Sequence, residues 1–139
     1  MSGEQGVIRS IERANQRVRR YLAKHLEQLG VTEIEAHLLA RLAAKGPCSV
    51  ADLQKAFGLR PSTLTNALDR LERRRFLRRK SDPLDRRTFV LELTAAGKRA
   101  AREVIALVDS LEARVEAQVS DDQLEAFRTV IAALEDALS

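Results

Sequence analysis

The segment from residue 58 to residue 94 constrains the fold most, because turn, helix and strand signals follow one another within it. Gly58 and Leu59 signal a tight turn, and Pro61 suits the first position of a helix, where its missing N–H is not needed. Apolar residues then recur at the three- and four-residue spacing of one helical face. They are Leu64, Ala67, Leu68 and Leu71. Two strand-like runs around an Asp/Pro turn follow, so the segment predicts a helix and a β-hairpin.

The opposite face of the predicted helix is polar. It carries short hydroxyl and amide groups near its start and charged groups further along: Ser62, Thr63, Thr65, Asn66, Asp69, Arg70 and Arg73. Short polar side chains can reach base edges in the major groove of DNA, and arginines can reach guanine or phosphate. An ordinary surface helix has a similar polar face, so the helix alone leaves both interpretations open.

Positive charge is concentrated in the same part of the chain. Between Arg60 and Arg87 there are ten arginines and lysines against four acids, a net charge of +6, whereas the whole chain carries +4. A focused basic surface is what a duplex-binding protein uses to neutralise phosphates. Arg86 and Arg87 stand at or just after the tip of the predicted hairpin, where they can enter a narrow minor groove. Asp85 is close enough in sequence to pair with one of these arginines.

The helix and hairpin together resemble the MarR family of bacterial winged helix-turn-helix transcriptional regulators. The matching residues are Asp82-Pro83-Leu84-Asp85-Arg86-Arg87, Leu91-Glu92-Leu93-Thr94 and an upstream run that includes Leu53, Gly58, Pro61, Ser62, Thr63, Leu64 and Thr65. The matched pattern covers about residues 30 to 97. The family resemblance therefore rests on several separated motifs with consistent spacing.

The resemblance also implies roles for individual residues. Five side chains of the recognition helix are implied to face the major groove: Ser62, Thr63, Thr65, Asn66 and Arg70. Arg87 is implied to enter the minor groove, with Asp85 as the partner that orients it. Arg60 departs from the family, which often has a Ser or Asp cap at this position. An arginine offers no acceptor to the free N–H groups of the first helical turn. Either Arg60 contacts phosphate instead, or the first turn relies on Ser62 and on packing.

Long amphipathic helices are predicted on both sides of this unit. Apolar stripes at helical spacing run over 7–29 and 95–119, and a last helix follows the capping box at Ser120. Three such stripes are difficult to shelter within one chain of 139 residues, so we expect a twofold homodimer with two recognition helices about one DNA turn apart. A monomeric helical bundle is the alternative.

The predicted fold is mainly α with a small β-wing. A winged helix-turn-helix unit at 30–94 lies between dimerisation helices at 1–29 and 95–139. Within that unit, the predicted core includes one face of the helix that precedes the turn. The residues of that face are Val50, Leu53, Ala56 and Phe57.

Other classes of protein lack support in the sequence. No apolar run approaches the roughly 20 residues of a membrane span, and Cys48, the single cysteine, rules out an internal disulfide and fits a reducing cytoplasm. Neither a metal-ligand cluster, a phosphate loop nor a nucleophile–base–acid set is present, so we expect no metal, no cofactor and no enzymatic activity. Cys48 is interpreted as structural, although redox sensing of the kind found in some MarR relatives remains an alternative.

The MarR resemblance further implies a cleft between the helical and winged parts that often takes small aromatic or acidic effectors. The proposed lining residues are Tyr21, His25, His37 and Arg41, for which half-buried interface positions are the alternative interpretation. The sequence therefore predicts a dimeric, sequence-specific transcriptional regulator of the cytoplasm, more often a repressor, that reads a pseudo-palindromic duplex. The alternative function is a winged-helix protein-interaction module that does not bind DNA.

Overall fold

The computed structural model describes residues 5–139, which form six helices and one three-stranded sheet. The helices are α1 (Val7–Leu29), α2 (Glu33–Lys45), α3 (Val50–Phe57), α4 (Pro61–Arg73), α5 (Ala95–Glu116) and α6 (Asp121–Ala137). The strands are β1 (Cys48–Ser49), β2 (Leu77–Ser81) and β3 (Phe89–Leu93). The predicted fold class, mainly α with a small β-wing, is confirmed.

The sheet is antiparallel, with β3 between β1 and β2. The hairpin of β2 and β3 pairs Leu77 with Leu93 at its base and Ser81 with Phe89 near its tip. β1 contributes only two residues, of which Cys48 pairs with Leu91. The sequence did not predict this strand, because two residues carry no periodicity and the partner strand lies far along the chain.

The chain forms two compact units that divide between Ile105 and Ala106. The buried core lies in the first unit, and its largest fully buried side chains are Leu38, Leu39, Leu53, Leu64, Leu68, Leu71, Leu77 and Leu91. Ala101 and Val104 of α5 are buried and belong to this unit, so the division falls inside α5. In the second unit α6 buries none of its residues within the single chain.

The helix ends follow the local signals of the sequence. Thr32, Ser49 and Ser120 each cap the following helix through a complete capping box. Thr94 starts α5, since its hydroxyl oxygen accepts the N–H of Gly97 at 3.0 Å. At the end of α4 the chain makes a Schellman turn with Arg75 in the left-handed conformation, at a φ of 61°.

Two predicted apolar faces are less covered than expected. In α3 Leu53 is buried, but Val50 and Ala56 are exposed, because this eight-residue helix presents only one narrow face to the core. In α1 only Leu26 is buried, and Val7 and Val18 are exposed. The apolar stripe of α1 is therefore largely free within the single chain.

Candidate nucleic-acid interface

The orientation of α4 is set by its apolar stripe. Leu64, Ala67, Leu68 and Leu71 are all at most 1% exposed, as predicted. These four side chains are apolar, so burying them leaves no polar group without a partner and is favourable. The opposite side of the helix consequently faces outward. Ser62, Thr65 and Asn66 are exposed on that side, and Thr63 is half-buried. The first two turns of α4 therefore present hydroxyl and amide groups to the surface.

The turn between α3 and α4 is held by backbone and side-chain hydrogen bonds. Gly58 adopts the left-handed conformation, and its N–H donates to the carbonyl of Gln54 at 2.9 Å. The side-chain amide of Gln54 in turn donates to the carbonyl of Leu59. Arg60 occupies the N-cap position of α4 without a side-chain cap, as its chemistry requires. Its guanidinium is free to extend from the exposed start of the helix.

Three charged residues of α4 have hydrogen-bond partners within the protein. The Nε of Arg70 lies 2.9 Å from a carboxylate oxygen of Glu35 in α2, although the MarR resemblance implied that Arg70 faces the bases. Asp69 accepts a hydrogen bond from Arg79 of β2 at 3.0 Å. Arg73 is exposed, and its Nε is 3.4 Å from the carbonyl oxygen of Asp69. The exposed hydroxyl and amide groups of α4 therefore lie in its first half.

Arg79 of the hairpin forms two ion pairs with α4. Arg79 on β2 donates to Asp69 and to Glu72, both at 3.0 Å, so a single guanidinium bridges two acids one helical turn apart. Across the hairpin, Arg78 lies 2.6 Å from Glu92. The hydrogen bond from Arg78 holds the pKa of the Glu92 carboxyl below its ordinary value. These pairs engage five charged groups near the hairpin, two arginines and three acids.

The loop at 82–88 is organised by its own side chains. Asp82 accepts the backbone N–H of Leu84 at 2.9 Å, and Asp85 accepts the backbone N–H of Arg87 at 3.0 Å. The hydroxyl of Thr88 donates to the carbonyl of Asp85 at 3.1 Å. These are Asx and Ser/Thr turn bonds. Asp82 and Thr88 were not predicted as candidate site residues, although Asp and Thr are residue types that form such turns.

Arg86 and Arg87 are exposed in this loop, as the sequence predicted. Asp85 orders the backbone at Arg87, whereas the resemblance implied a bond to the guanidinium of an arginine. The side chain of Arg87 is therefore positioned through the main chain and remains available for another partner. Leu84, beside Pro83, is 96% exposed at the tip.

Pairing within the protein decides which cations remain free. Between residues 60 and 87, Arg70, Arg74, Arg78 and Arg79 form ion pairs with acids. The remaining cations of this window have no ion pair with any residue of the range 5–139: Arg60, Arg73, Arg75, Lys80, Arg86 and Arg87. The unpaired charge thus lies at both ends of α4 and in the hairpin.

The four residues proposed to line an effector cleft fall into two groups. Tyr21 and His25 stack on α1 with ring centroids 4.2 Å apart. His37 on α2 lies 3.8 Å from Glu33 and 6.5 Å, between ring centroids, from Phe57. Their contacts therefore suit separate packing roles.

Arg41, the fourth of these residues, is half-buried near Cys48. Its Nε is buried and has no hydrogen-bond partner among the described residues. The pKa of the Cys48 thiol is raised by burial and, to a smaller extent, by the negative charge of Asp52, with Arg41 opposing. Since the thiolate is the reactive form, this environment favours a structural cysteine over a redox sensor.

A separate cleft of about 400 Å³ lies in the first unit. It is lined by Leu42, Ala43, Gly46, Pro47, Glu92, Leu93, Lys98 and Arg102. Within residues 5–139 no three His, Cys, Asp or Glu side chains are grouped to hold a metal ion. In the same range no helix has both the length and the hydropathy to cross a bilayer.

Helices α3 and α4 with the β2–β3 hairpin define a winged helix-turn-helix unit. Residues 31–89 match the family model described as the MarR family. The chain is 31% identical over 108 residues to the HTH-type transcriptional regulator YwhA of Bacillus subtilis (strain 168), covering 75% of each protein. It is 27% identical over 115 residues to the HTH-type transcriptional repressor MdtR of the same organism, covering 83% of this chain and 74% of MdtR. The chain belongs to the MarR family and is a transcriptional regulator, not an enzyme.

Solved structures share the fold of the described chain. The DNA complex of MepR from Staphylococcus aureus matches with a TM-score of 0.84 at 22% identity, over 95% of this chain and 98% of MepR. The apo form of wild-type MarR from Escherichia coli matches with a TM-score of 0.75 at 22% identity, over 93% and 96%. The predicted winged helix-turn-helix architecture is confirmed.

Proposed function

We propose that the protein is a dimeric, sequence-specific repressor that reads a pseudo-palindromic operator, with α4 in the major groove and the β2–β3 wing in the minor groove. The observation that carries the proposal is the position of the unpaired cations. Arg60 stands at the start of α4, and Arg86 and Arg87 stand in the wing loop, whereas other arginines of the same window are neutralised by acids. Free cations placed next to a polar helix face suit a phosphate backbone and a groove.

The first half of α4 supplies the groups for base reading. Asn66 is exposed, and an asparagine amide can bond to both the N6 and N7 atoms of adenine. Ser62 and Thr65 are exposed one turn or less away and can bond to base edges or phosphate. We expect Arg86 and Arg87 to favour a narrow minor groove, where the negative potential is strongest.

The proposed dimer is supported by the apolar side chains that a single chain leaves uncovered. On α1 these are Val7, Ile8 and Val18, and in the second unit they are Val108, Val115, Phe127 and Val130. Large exposed apolar side chains in each unit mark interaction sites, and a second copy of the chain has the same side chains to pack against them. Twofold symmetry would also provide two α4 helices for two half-sites.

Repression is proposed from the relatives. MdtR is named a transcriptional repressor, and MepR has been solved with DNA. Because the proposed target is DNA, we expect the protein to act in the cytoplasm. Relief by a small aromatic or acidic effector stays a prediction. The contacts of Tyr21, His25 and His37 suit packing, whereas Arg41 has a buried Nε without a hydrogen-bond partner among the described residues.

The test is selection of bound duplexes from a random library, followed by titration of the selected duplex at several salt concentrations. We expect the logarithm of the binding constant to fall linearly with the logarithm of the salt concentration, with a slope of about −0.9 for each phosphate neutralised. The selected sequences should contain two related half-sites. If the protein bound no duplex in a salt-dependent way, the proposal would be overturned in favour of a winged-helix module that binds protein.

A further inference from the structure

Glu35 is the one charged side chain that is buried among residues 5–139, at 3% exposure. It lies in the first turn of α2, directly after the turn that ends α1. One carboxylate oxygen is 2.9 Å from Nε of Arg70, and the other is 3.7 Å from Nη1 of Arg74. The same carboxylate accepts the backbone N–H of Thr32 at 3.4 Å. Glu35 therefore joins the start of α2 to the second half of α4.

Arg74 extends the connection to α1 and to the wing. Its Nη1 also donates to the carbonyl of Gly30, the residue that caps the end of α1. Its guanidinium carbon lies 4.6 Å from the ring centroid of Phe76, which immediately precedes β2. Arg74 and Glu35 therefore connect four parts of the first unit. These are the end of α1, the start of α2, the end of α4 and the base of the wing.

Stability alone does not explain a buried carboxylate at this position, where Glu35 is 3% exposed while the side chains of Arg70 and Arg74 are 43% and 39% exposed. Taking even one charge out of water is costly, and an apolar pair of similar volume often gives an equally stable protein. What the pair adds is geometry, because charge-assisted hydrogen bonds fix direction as well as distance. Apolar contacts at the same place would allow α4 to slide or rotate against α2.

From this we infer that Glu35, Arg70 and Arg74 fix the orientation of α4 relative to α1, and through it the spacing of the two half-sites that the dimer accepts. The inference rests on the proposed function, in which α1 contributes to the dimer surface and α4 reads DNA. Arg70 is then a positioning residue that acts through Glu35, rather than a side chain that contacts bases. The site determines which operators are accepted without touching them.

A double-mutant cycle of Arg70 and Glu35 distinguishes a positioning role of Arg70 from a direct contact with a base. If Arg70 positions α4 through Glu35, then Arg70→Gln, Glu35→Gln and the double variant should weaken binding to the selected duplex by similar factors, each about tenfold. If Arg70 contacts a base, the effects of the two substitutions should multiply. Arg73→Gln, which removes an exposed arginine without an acidic partner from the same helix, serves as the matched control for lost charge.

The spacing of the half-sites supplies the decisive measurement. Duplexes with the spacer lengthened or shortened by one base pair are titrated beside the selected duplex. Wild-type protein and Arg73→Gln should discriminate against the altered spacers, whereas Arg70→Gln and Glu35→Gln should lose about tenfold of that discrimination. Light scattering on the same samples should show the wild-type oligomeric state.

A fifth variant tests the inference even if a single substitution unfolds the protein. The apolar pair Glu35→Met with Arg70→Met leaves no unpaired carboxylate, so we expect it to fold and melt near the wild type. It should still lose the spacing discrimination. If this variant discriminated like wild type, or if only base identity and not spacing changed in Arg70→Gln, the inference would be overturned while the proposed function stood. A wild-type protein that bound no duplex would overturn the proposed function itself.

Discussion

Arg87 is positioned by the backbone of the wing loop. The carboxylate of Asp85 accepts the backbone N–H of Arg87, and the hydroxyl of Thr88 donates to the carbonyl of Asp85. The guanidinium of Arg87 therefore extends from an ordered turn and has no acidic partner among the described residues. Pre-ordering of this kind reduces the entropy lost when a loop binds its target. The loop chemistry therefore gives Asp85 a structural role and supports the proposed role of Arg87 in recognition.

We predict that Arg87→Ala weakens binding to the selected duplex by about 1–3 kcal/mol without changing the oligomeric state. The salt dependence should decrease by about one counterion, because one phosphate-region contact is lost. Fluorescence anisotropy titrations at several salt concentrations measure both quantities. Arg99→Ala removes an exposed arginine from α5 and is the control for net charge. Equal effects of the two substitutions would contradict the assignment of the wing.

Cys48 provides a second prediction at this scale. Because burial and Asp52 raise the pKa of its thiol, the thiolate fraction at neutral pH is smaller than that of a free cysteine. Alkylation by iodoacetamide at neutral pH should be slower in the folded protein than in the same protein unfolded by urea, and it should accelerate only as the pH becomes alkaline. Mass spectrometry of quenched time points follows the reaction. Faster alkylation of the folded protein would revive the redox interpretation.

At the scale of elements, the start of α5 determines how closely helix and hairpin can pack. A Cβ built on Gly97 would lie 1.8 Å from the carbonyl oxygen of Phe76 and 3.2 Å from a methyl carbon of Leu93. The same carbonyl accepts the N–H of Thr94 at 3.0 Å, so it cannot move away without losing a hydrogen bond. Gly97 is therefore required by close approach of two backbones, and not by its own φ.

We predict that Gly97→Ala lowers the free energy of unfolding by about 1–3 kcal/mol or more through overpacking. Helix propensity alone gives the opposite sign, since alanine is about 1 kcal/mol more favourable than glycine inside a helix. Urea titration followed by circular dichroism distinguishes the two. The control is Ala95→Gly, at an exposed position two residues earlier in α5, which should cost only the difference in propensity. A stabilised Gly97→Ala protein would refute the close packing.

At the scale of the whole molecule, two compact units each leave apolar surface uncovered. In the second unit, α6 begins with a full capping box yet buries no residue within the chain. Isolated helices of this length are marginal in water, and packing of an apolar face usually provides their stability. The second copy proposed above would supply that packing.

We predict that Phe127→Asp prevents dimer formation and weakens binding to the full operator more than binding to a single half-site. Phe127 is 58% exposed in the single chain, so the substitution should leave the winged unit folded. Thr129→Asp, on another side of α6, introduces the same charge and is the matched control. Sedimentation velocity and titration of full-site and half-site duplexes measure the effects. A Phe127→Asp protein that remained dimeric would exclude this face of α6 from the interface.

The sequence predicted the parts of this protein that depend on neighbours along the chain. The capping box at Ser120, the apolar stripe of α4 and the turn of the wing each involve residues at most a few positions apart, so spacing alone identifies them. The same local motifs carried the family resemblance, which the comparisons confirmed.

Contacts between distant parts of the chain required the tertiary structure. The strand β1 exists because Cys48 meets Leu91, and Arg70 meets Glu35 across 35 positions of sequence. A sequence shows how many cations a segment has, but packing of α2 against α4 decides which of them meet an acid. By itself the sequence determined the helices, the hairpin and the basic window. Only the tertiary structure decided which arginines hold the protein together and which remain free to bind, because ion pairing depends on distance in space and not on distance along the chain.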